Sequence, residues 1–183
     1  MNKRFTLKTS LLVTALLLLP AAHAQTMSKP DYSAGKTRLS TGYKADKAAC
    51  AVLSGNAMDI CIEEAKGKEK VARAELELAY SGKDSDRNKV RVAKADSAYA
   101  VARERCDDQA GNPKDVCVKE AKAAKVSALA DAKMGKEISQ ARSDAADDKR
   151  NADYKVAIEK CDALAGDAKS GCVAAAKASH GKS

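Results

Sequence analysis

Tryptophan is absent from the chain, phenylalanine occurs once, and aromatic residues make up only 3%. That excludes a conventional aromatic-filled core and a platform on which nucleic-acid bases would stack. The two histidines are His23 and His180. No Ser-His-Asp set can be assembled with a single histidine beyond the first residues, and no glycine-rich phosphate loop is present. Carboxylates are plentiful, but they sit in helix-surface patterns where nothing desolvates them, and desolvation is what tunes a catalytic acid. The expectation is a protein that is not an enzyme and holds no cofactor. Large apolar residues are also scarce. From Gln25 to the end, Leu, Ile and Val number 20 of 159 residues, against 34 alanines. So few would ordinarily mean disorder. The abundance of Ala, Lys, Glu and Arg argues otherwise, because these residues cost little to order as helix.

Only one apolar run exists, Leu11 to Leu19. Lys3, Arg4 and Lys8 precede it, Pro20 breaks it, and Ala22-His23-Ala24 forms a small-x-small cleavage site, so residues 1–24 read as a secretory signal peptide. The run is too short to span a hydrocarbon core of ~30 Å as an uncleaved anchor. Residue 25 is Gln and not Cys, which gives no sign of a lipoprotein anchor. The expected location is the periplasm or the exterior, with no transmembrane segment after cleavage. The formal charge of +8 falls to about +5 once the three basic residues of the signal are removed, leaving 30 basic against 25 acidic residues. The two signs alternate along the same stretches, as in Glu63-Glu64 before Lys66 and Lys68. That is the pattern of a solvated helix surface with i,i+4 pairs, so nucleic acid is an unfavoured partner.

Six cysteines fall into three pairs of one spacing: Cys50/Cys61, Cys106/Cys117 and Cys161/Cys172, each C-x10-C. Five residues after each first cysteine stands a glycine, Gly55, Gly111 or Gly166, followed by Asn56, Asn112 or Asp167. A tyrosine lies seven residues before each pair: Tyr43, Tyr99, Tyr154. The register steps by 56 and then 55 residues, which is an internal repeat. Residues 25–42, with Pro30, Gly35 and Gly42, read as a flexible leader. Residues 43–98 and 99–153 are repeats 1 and 2, and 154–183 is a shortened third with a C-terminal tail. Within a repeat the pattern is helical. Val92, Ala95, Tyr99, Ala102 and Cys106 step by 3 and 4, an a/d seam that places cysteine on the same stripe as the small apolar residues.

Each C-x10-C element therefore reads as an αα-hairpin. Gly111 is the left-handed residue that ends the first helix, Asn112 caps the second, and Pro113 occupies its first position. Gly55-Asn56 and Gly166-Asp167 repeat the arrangement. The cysteines flank the turn symmetrically and lie at one depth on facing helices. Axes packed ~8–10 Å apart bring such Cα atoms within disulfide range. In an exported chain this selects Cys50–Cys61, Cys106–Cys117 and Cys161–Cys172 as disulfides. A thiol metal site would favour shorter spacings and histidines, and a redox site C-x-x-C. The three tyrosines read as packing plugs in the alanine seam. Ser81-Gly82-Lys83 reads as a break followed by a new cap, and Met134-Gly135-Lys136 as a weaker one at the corresponding place. The favoured reading is that long helices, straight or kinked at these points, join the hairpins; the alternative is that each repeat bends there into a compact bundle, for which too few large apolar residues exist to fill a centre. The expected fold is all-α: elongated antiparallel helical hairpins in a coiled-coil-like bundle, each hairpin stapled by a disulfide.

The motif Tyr99…Cys106-x4-Gly111-Asn112-x4-Cys117-Val118-x2-Ala121-Lys122, in Ala/Lys/Glu-rich helix behind a signal peptide, resembles small exported proteobacterial proteins that are sometimes labelled TolA-like for their composition. The resemblance covers residues 43–178 and implies no catalytic or ligand-binding residues. The chain lacks the inner-membrane anchor of TolA itself. The expected function is a non-catalytic, interaction or structural element of the cell envelope, with an envelope protein as partner. The alternative is a basic protein that binds a surface polyanion or membrane surface. No small-molecule substrate is expected.

Overall fold

The computed structural model describes residues 27–182; the signal peptide read in residues 1–24 lies outside them. Every regular element among the described residues is helical. The order is α1 (Lys29–Ala49), α2 (Gly55–Ser81), α3 (Asp84–Arg105), α4 (Gly111–Asp162) and α5 (Gly166–Ser179), with single 3-10 turns at Cys50–Val52 and Cys106–Asp108. α1 packs on α2, α2 on α3, α3 on α4 and the end of α4 on α5. The antiparallel hairpins thus form an open row, each helix packed on its neighbours in the chain.

α1 corrects the reading of a flexible leader over residues 29–42; residues 25 and 26 of that leader lie outside the described residues. Ser28 caps the helix by accepting from the Asp31 amide at 3.2 Å, and its hydroxyl reaches the Asp31 carboxylate at 2.6 Å. Ser28-x-x-Asp31 has the spacing of a capping box, with the Asp31 carboxylate held by the Ser28 hydroxyl, and Pro30 in the first turn removes only an amide that has no helical partner. Gly35 marks no loop. It is buried where α1 crosses α2, and a Cβ there would lie 2.8 Å from the Leu76 side chain. Tyr32 stacks on Tyr80 of α2 at 4.4 Å and donates its hydroxyl to Glu77, which raises the Tyr32 pKa above the ordinary phenol value.

Of the long helices expected between hairpins, the second forms and the first does not. Gly82, at φ +65°, ends α2, and its amide donates to the Leu78 carbonyl. Ser81 then donates to Asp86 and accepts from the Lys83 amide, which turns the chain back so that α3 lies along α2. Gly135 breaks nothing, since α4 runs through it for 52 residues, about 78 Å. One repeat on from Gly82 stands Ile138, which resists the left-handed conformation. Gly135 instead lets the Arg91 guanidinium of α3 approach α4.

The core is the seam that the alanine pattern describes. Its buried members are mainly Ala65, Ala93, Ala95, Ala121, Ala132 and Ala176 with Val90, and among the described residues the largest fully buried side chains are Cys50, Cys106 and Cys161. Small residues let the helix axes come close. At Gly67 a Cβ would lie 3.0 Å from Ser97 Cβ across the α2–α3 contact.

Candidate interaction surface

The three cysteine pairs form the three expected disulfides, with Cα–Cα separations of 5.6, 5.7 and 5.6 Å. The backbone between them is the same each time. After the first cysteine one more turn closes, with the amides of Leu53, Gln109 and Leu164 donating to the carbonyls of Cys50, Cys106 and Cys161 at 3.0 Å. Extended residues follow, 53 and 54 in the first hairpin, 109 and 110 in the second and Ala165 in the third, and then Gly55, Gly111 or Gly166 at φ 57°, 60° and 57°. These glycines begin the second helix of each hairpin and do not close the first, as the sequence reading had it. A residue with positive φ between two helices satisfies either role, and the extra turn from the cysteine, a 3-10 turn in the first two hairpins, takes up the residues that decide between them.

Asn56, Asn112, Pro113 and Asp167 consequently lie inside the first turn of their helices. Residues 54, 110 and 165 occupy the cap positions. Pro113 lacks an amide where none is needed, and Asp167 places its charge at the positive end of α5. Asn56 is not a cap. Its side-chain amide donates to the Glu104 carbonyl at 3.1 Å and ties the first hairpin to the end of α3. Asn112 has no such neighbour and is exposed.

The repeated tyrosines are half-buried in the hairpin seams. Tyr99 lies under Lys125 of α4, 5.0 Å from the ring centre. Tyr154 meets His180 edge-on at 6.1 Å, with Lys182 at 5.9 Å. Tyr43 lines the groove between α1 and α2 with Glu69. Glu69, Lys125 and His180 are themselves repeat-equivalent, so the ring stays and the group opposite it varies.

Two aspartates hold the row together, and neither stands out in the sequence. Asp86 is 3% exposed, bonded to Lys89 at 2.7 Å and to the Ser81 hydroxyl, and these partners lower its pKa. Asp96 of α3 bridges Lys125 of α4 at 2.8 Å and Lys70 of α2 at 2.9 Å, pinning three helices, with its pKa lowered by the same two lysines. Arg105–Glu64 and Lys94–Glu75 add pairs between α3 and α2 at 2.6 and 2.8 Å.

The concavities are shallow. A polar cleft of about 150 Å³ lies where the start of α3 crosses α4 and carries Arg87, Arg91 and Lys136 beside Asp84 and Ser139. Among the described residues no group of three or more His, Cys, Asp or Glu is placed to hold a metal ion, and no helix is long and apolar enough to cross a membrane. The extended surface is α4. Residues 140–153 are all exposed and carry the chain as a single helix from the row to the third hairpin. No protein-family model, curated protein or solved structure matches the chain.

Proposed function

We propose that the chain is an exported, non-catalytic helical repeat protein of the periplasm, acting as an interaction or structural element of the cell envelope. The observation that carries this reading is the exposed stretch of α4, residues 140–153, which holds the third disulfide hairpin away from the row of α1 to α3. Such an arrangement presents helix faces over a long span and encloses little. Three disulfides suit an oxidising compartment. The test is fractionation of the producing cells, with mass spectrometry of the N-terminus and cross-linking in intact envelopes. A chain that begins at Gln25, sits in the periplasmic fraction with oxidised cysteines and cross-links to envelope components supports the reading. An intact Met1 in the membrane or cytoplasmic fraction overturns it.

A second reading, binding to a surface polyanion, is favoured by one observation: the cleft that gathers Arg87, Arg91 and Lys136. Counterion release would make such binding fall steeply with salt, whereas a packed protein interface changes little. Envelope association that survives high salt therefore supports the first reading over the second.

A further inference from the structure

The internal repeat offers two copies of one helix in different company. α1, α3 and residues 140–160 of α4 occupy one position of the repeat, and α2, residues 111–137 of α4 and α5 occupy the other. In the first repeat α2 is covered on both sides, by α1 and by α3. Its face toward α3 carries Ile60, Gly67, Val71 and Leu78, all buried or half-buried. The counterparts on α4 are Val116, Ala123, Ser127 and Met134, and all four are exposed, Val116 by 44% and Met134 by 55%.

The cause is the turn that α4 lacks. Gly82 folds α3 back onto α2, while Ile138 carries the helix straight on. The segment that would cover residues 111–137 is the collinear arm 140–160, which cannot reach them within a straight helix. The arm has a vacant face of its own. The stripe continues at helical spacing through Ile138, Ala141, Ala145, Ala152 and Val156, with Ile138 46% and Val156 54% exposed. Two complementary faces are thus open in one chain and barred from each other.

The packing of α2 on α3 shows how they fit. Glu64 pairs with Arg105, and Glu75 pairs with Lys94. Carried forward one repeat, these become Glu120 with Lys160 and Asp131 with Lys149, and both keep opposite charge. The close contact of Gly67 with Ser97 becomes Ala123 with Ala152, and Asn56 beside Glu104 becomes Asn112 beside Glu159. One pair is not carried over: Lys70 with Asp96 becomes Val126 with Asn151. This register places a two-fold axis close to Ile138, so the contact is made twice and closes on itself.

We propose that the protein is a homodimer through α4, in which residues 140–160 of each copy pack antiparallel on residues 111–137 of the other, as α3 packs on α2. This names a partner for the interaction role proposed above and rests on that reading only for its biological meaning. Self-association is measured on purified protein and export by fractionation, so the failure of one is distinguishable from the failure of the other.

The experiment is light scattering of the oxidised protein in the micromolar range, with zero-length carbodiimide cross-linking of an equal mixture of heavy- and light-nitrogen protein. Asp131 and Lys149 are 18 residues apart on one helix, about 27 Å, so a zero-length link cannot join them within a straight α4. The expected result is a dimer mass and a 131–149 link in mixed-isotope form. Ile138→Arg sets like charges together at the axis and should weaken the dimer at least about tenfold while the helical circular dichroism is kept. Replacing Glu137, Ile138 and Ser139 with Ser, Gly and Lys, the turn of residues 81–83, should give a monomer whose 131–149 link is same-isotope only. A monomer mass for the unaltered protein, or a 131–149 link found only within one isotope, overturns the proposal. So does a dimer without that link.

Discussion

Glycine stands in three different settings in this chain, two that require it and one that does not, and substitution separates them. Gly111 sits at φ +60° with no atom near the position of a Cβ, so its requirement is conformational alone. Gly111→Ala should cost about 1–2 kcal/mol, the strain of an L-residue in the left-handed region. Gly42 lies in helical conformation inside α1, also with open space around it. Gly42→Ala should stabilise by about 0.5–1 kcal/mol, because alanine loses less freedom on folding. Gly67 serves close approach. Gly67→Leu should pry α2 from α3 and cost about 1–3 kcal/mol. Thermal melts of the three variants against the unaltered protein check both sign and order. A melt raised by Gly111→Ala, or lowered by Gly42→Ala, contradicts the account at this scale. The sequence made Gly55, Gly111 and Gly166 legible as turn residues through their fixed place in the repeat. It did not say which helix each belonged to, because positive φ suits a helix end and the residue that opens the next one equally well. Asp86 and Asp96 were not legible at all. The role of Asp96 comes from the meeting of α2, α3 and α4, which no local pattern encodes. Asp86 is buried by the turn between α2 and α3; its partners Ser81 and Lys89 are near it in sequence, but the fold-back that buries it is not local.

At the scale of the element, a helix is secure in proportion to the sides on which it is packed. α2 lies between α1 and α3, whereas among the described residues α5 packs chiefly on the end of α4. Replacing Cys161 and Cys172 with alanine should therefore melt α5 alone, since a 14-residue helix is marginal without packing. Replacing Cys50 and Cys61 should leave α2 folded on α3. Hydrogen exchange read by segment checks this, and protected α5 amides in the first variant would contradict it. Acid should act on the row through its aspartates. Asp84, held by Ser139 and Arg87, Asp86 by Lys89 and Ser81, Asp96 by Lys125 and Lys70, and Asp107 by Lys114 all have lowered pKa values. A carboxylate whose folded pKa is depressed contributes stability above its unfolded value of about 3.9, and that contribution is lost as the pH falls through the lower folded value. The melting temperature should hold from neutral pH to near the unfolded value of about 3.9 and drop below it; a rise on acidification would be contrary. The alanine seam made most helices legible, α3 above all. α1 was hidden because Pro30, Gly35 and Gly42 look like loop residues. Ser28-x-x-Asp31, followed by Tyr32, Gly35, Leu39 and Tyr43 at helical spacing, was the signal that outweighs them. The long run of α4 was legible from the scarcity of large apolar residues, whereas the same reading missed the turn at Gly82; Gly135 stands three residues short of the position equivalent to Gly82 and ends nothing.

For the whole molecule the cysteines take the place of a large apolar core. In the chain-entropy picture each bridge is worth roughly 3 kcal/mol, and three of them form a large part of a typical total of ~5–15 kcal/mol. Reduction should lower both the helical circular dichroism and the melting midpoint; indifference to reductant would mean that alanine packing suffices. The repeat made the hairpins and their disulfides legible, because one spacing used three times leaves a single consistent pairing. How the hairpins are arranged was not legible, since it turns on one residue, glycine at 82 and isoleucine at 138. The central claim is that α4 is one unbroken helix that sets the third hairpin apart from the row. Small-angle X-ray scattering of the oxidised protein tests it most directly. A 52-residue helix requires a longest dimension of at least about 78 Å, and a dimer paired through α4 keeps that length. The account predicts an elongated particle of that span. A compact particle near the radius of gyration of about 15 Å expected for a globule of this size would contradict it.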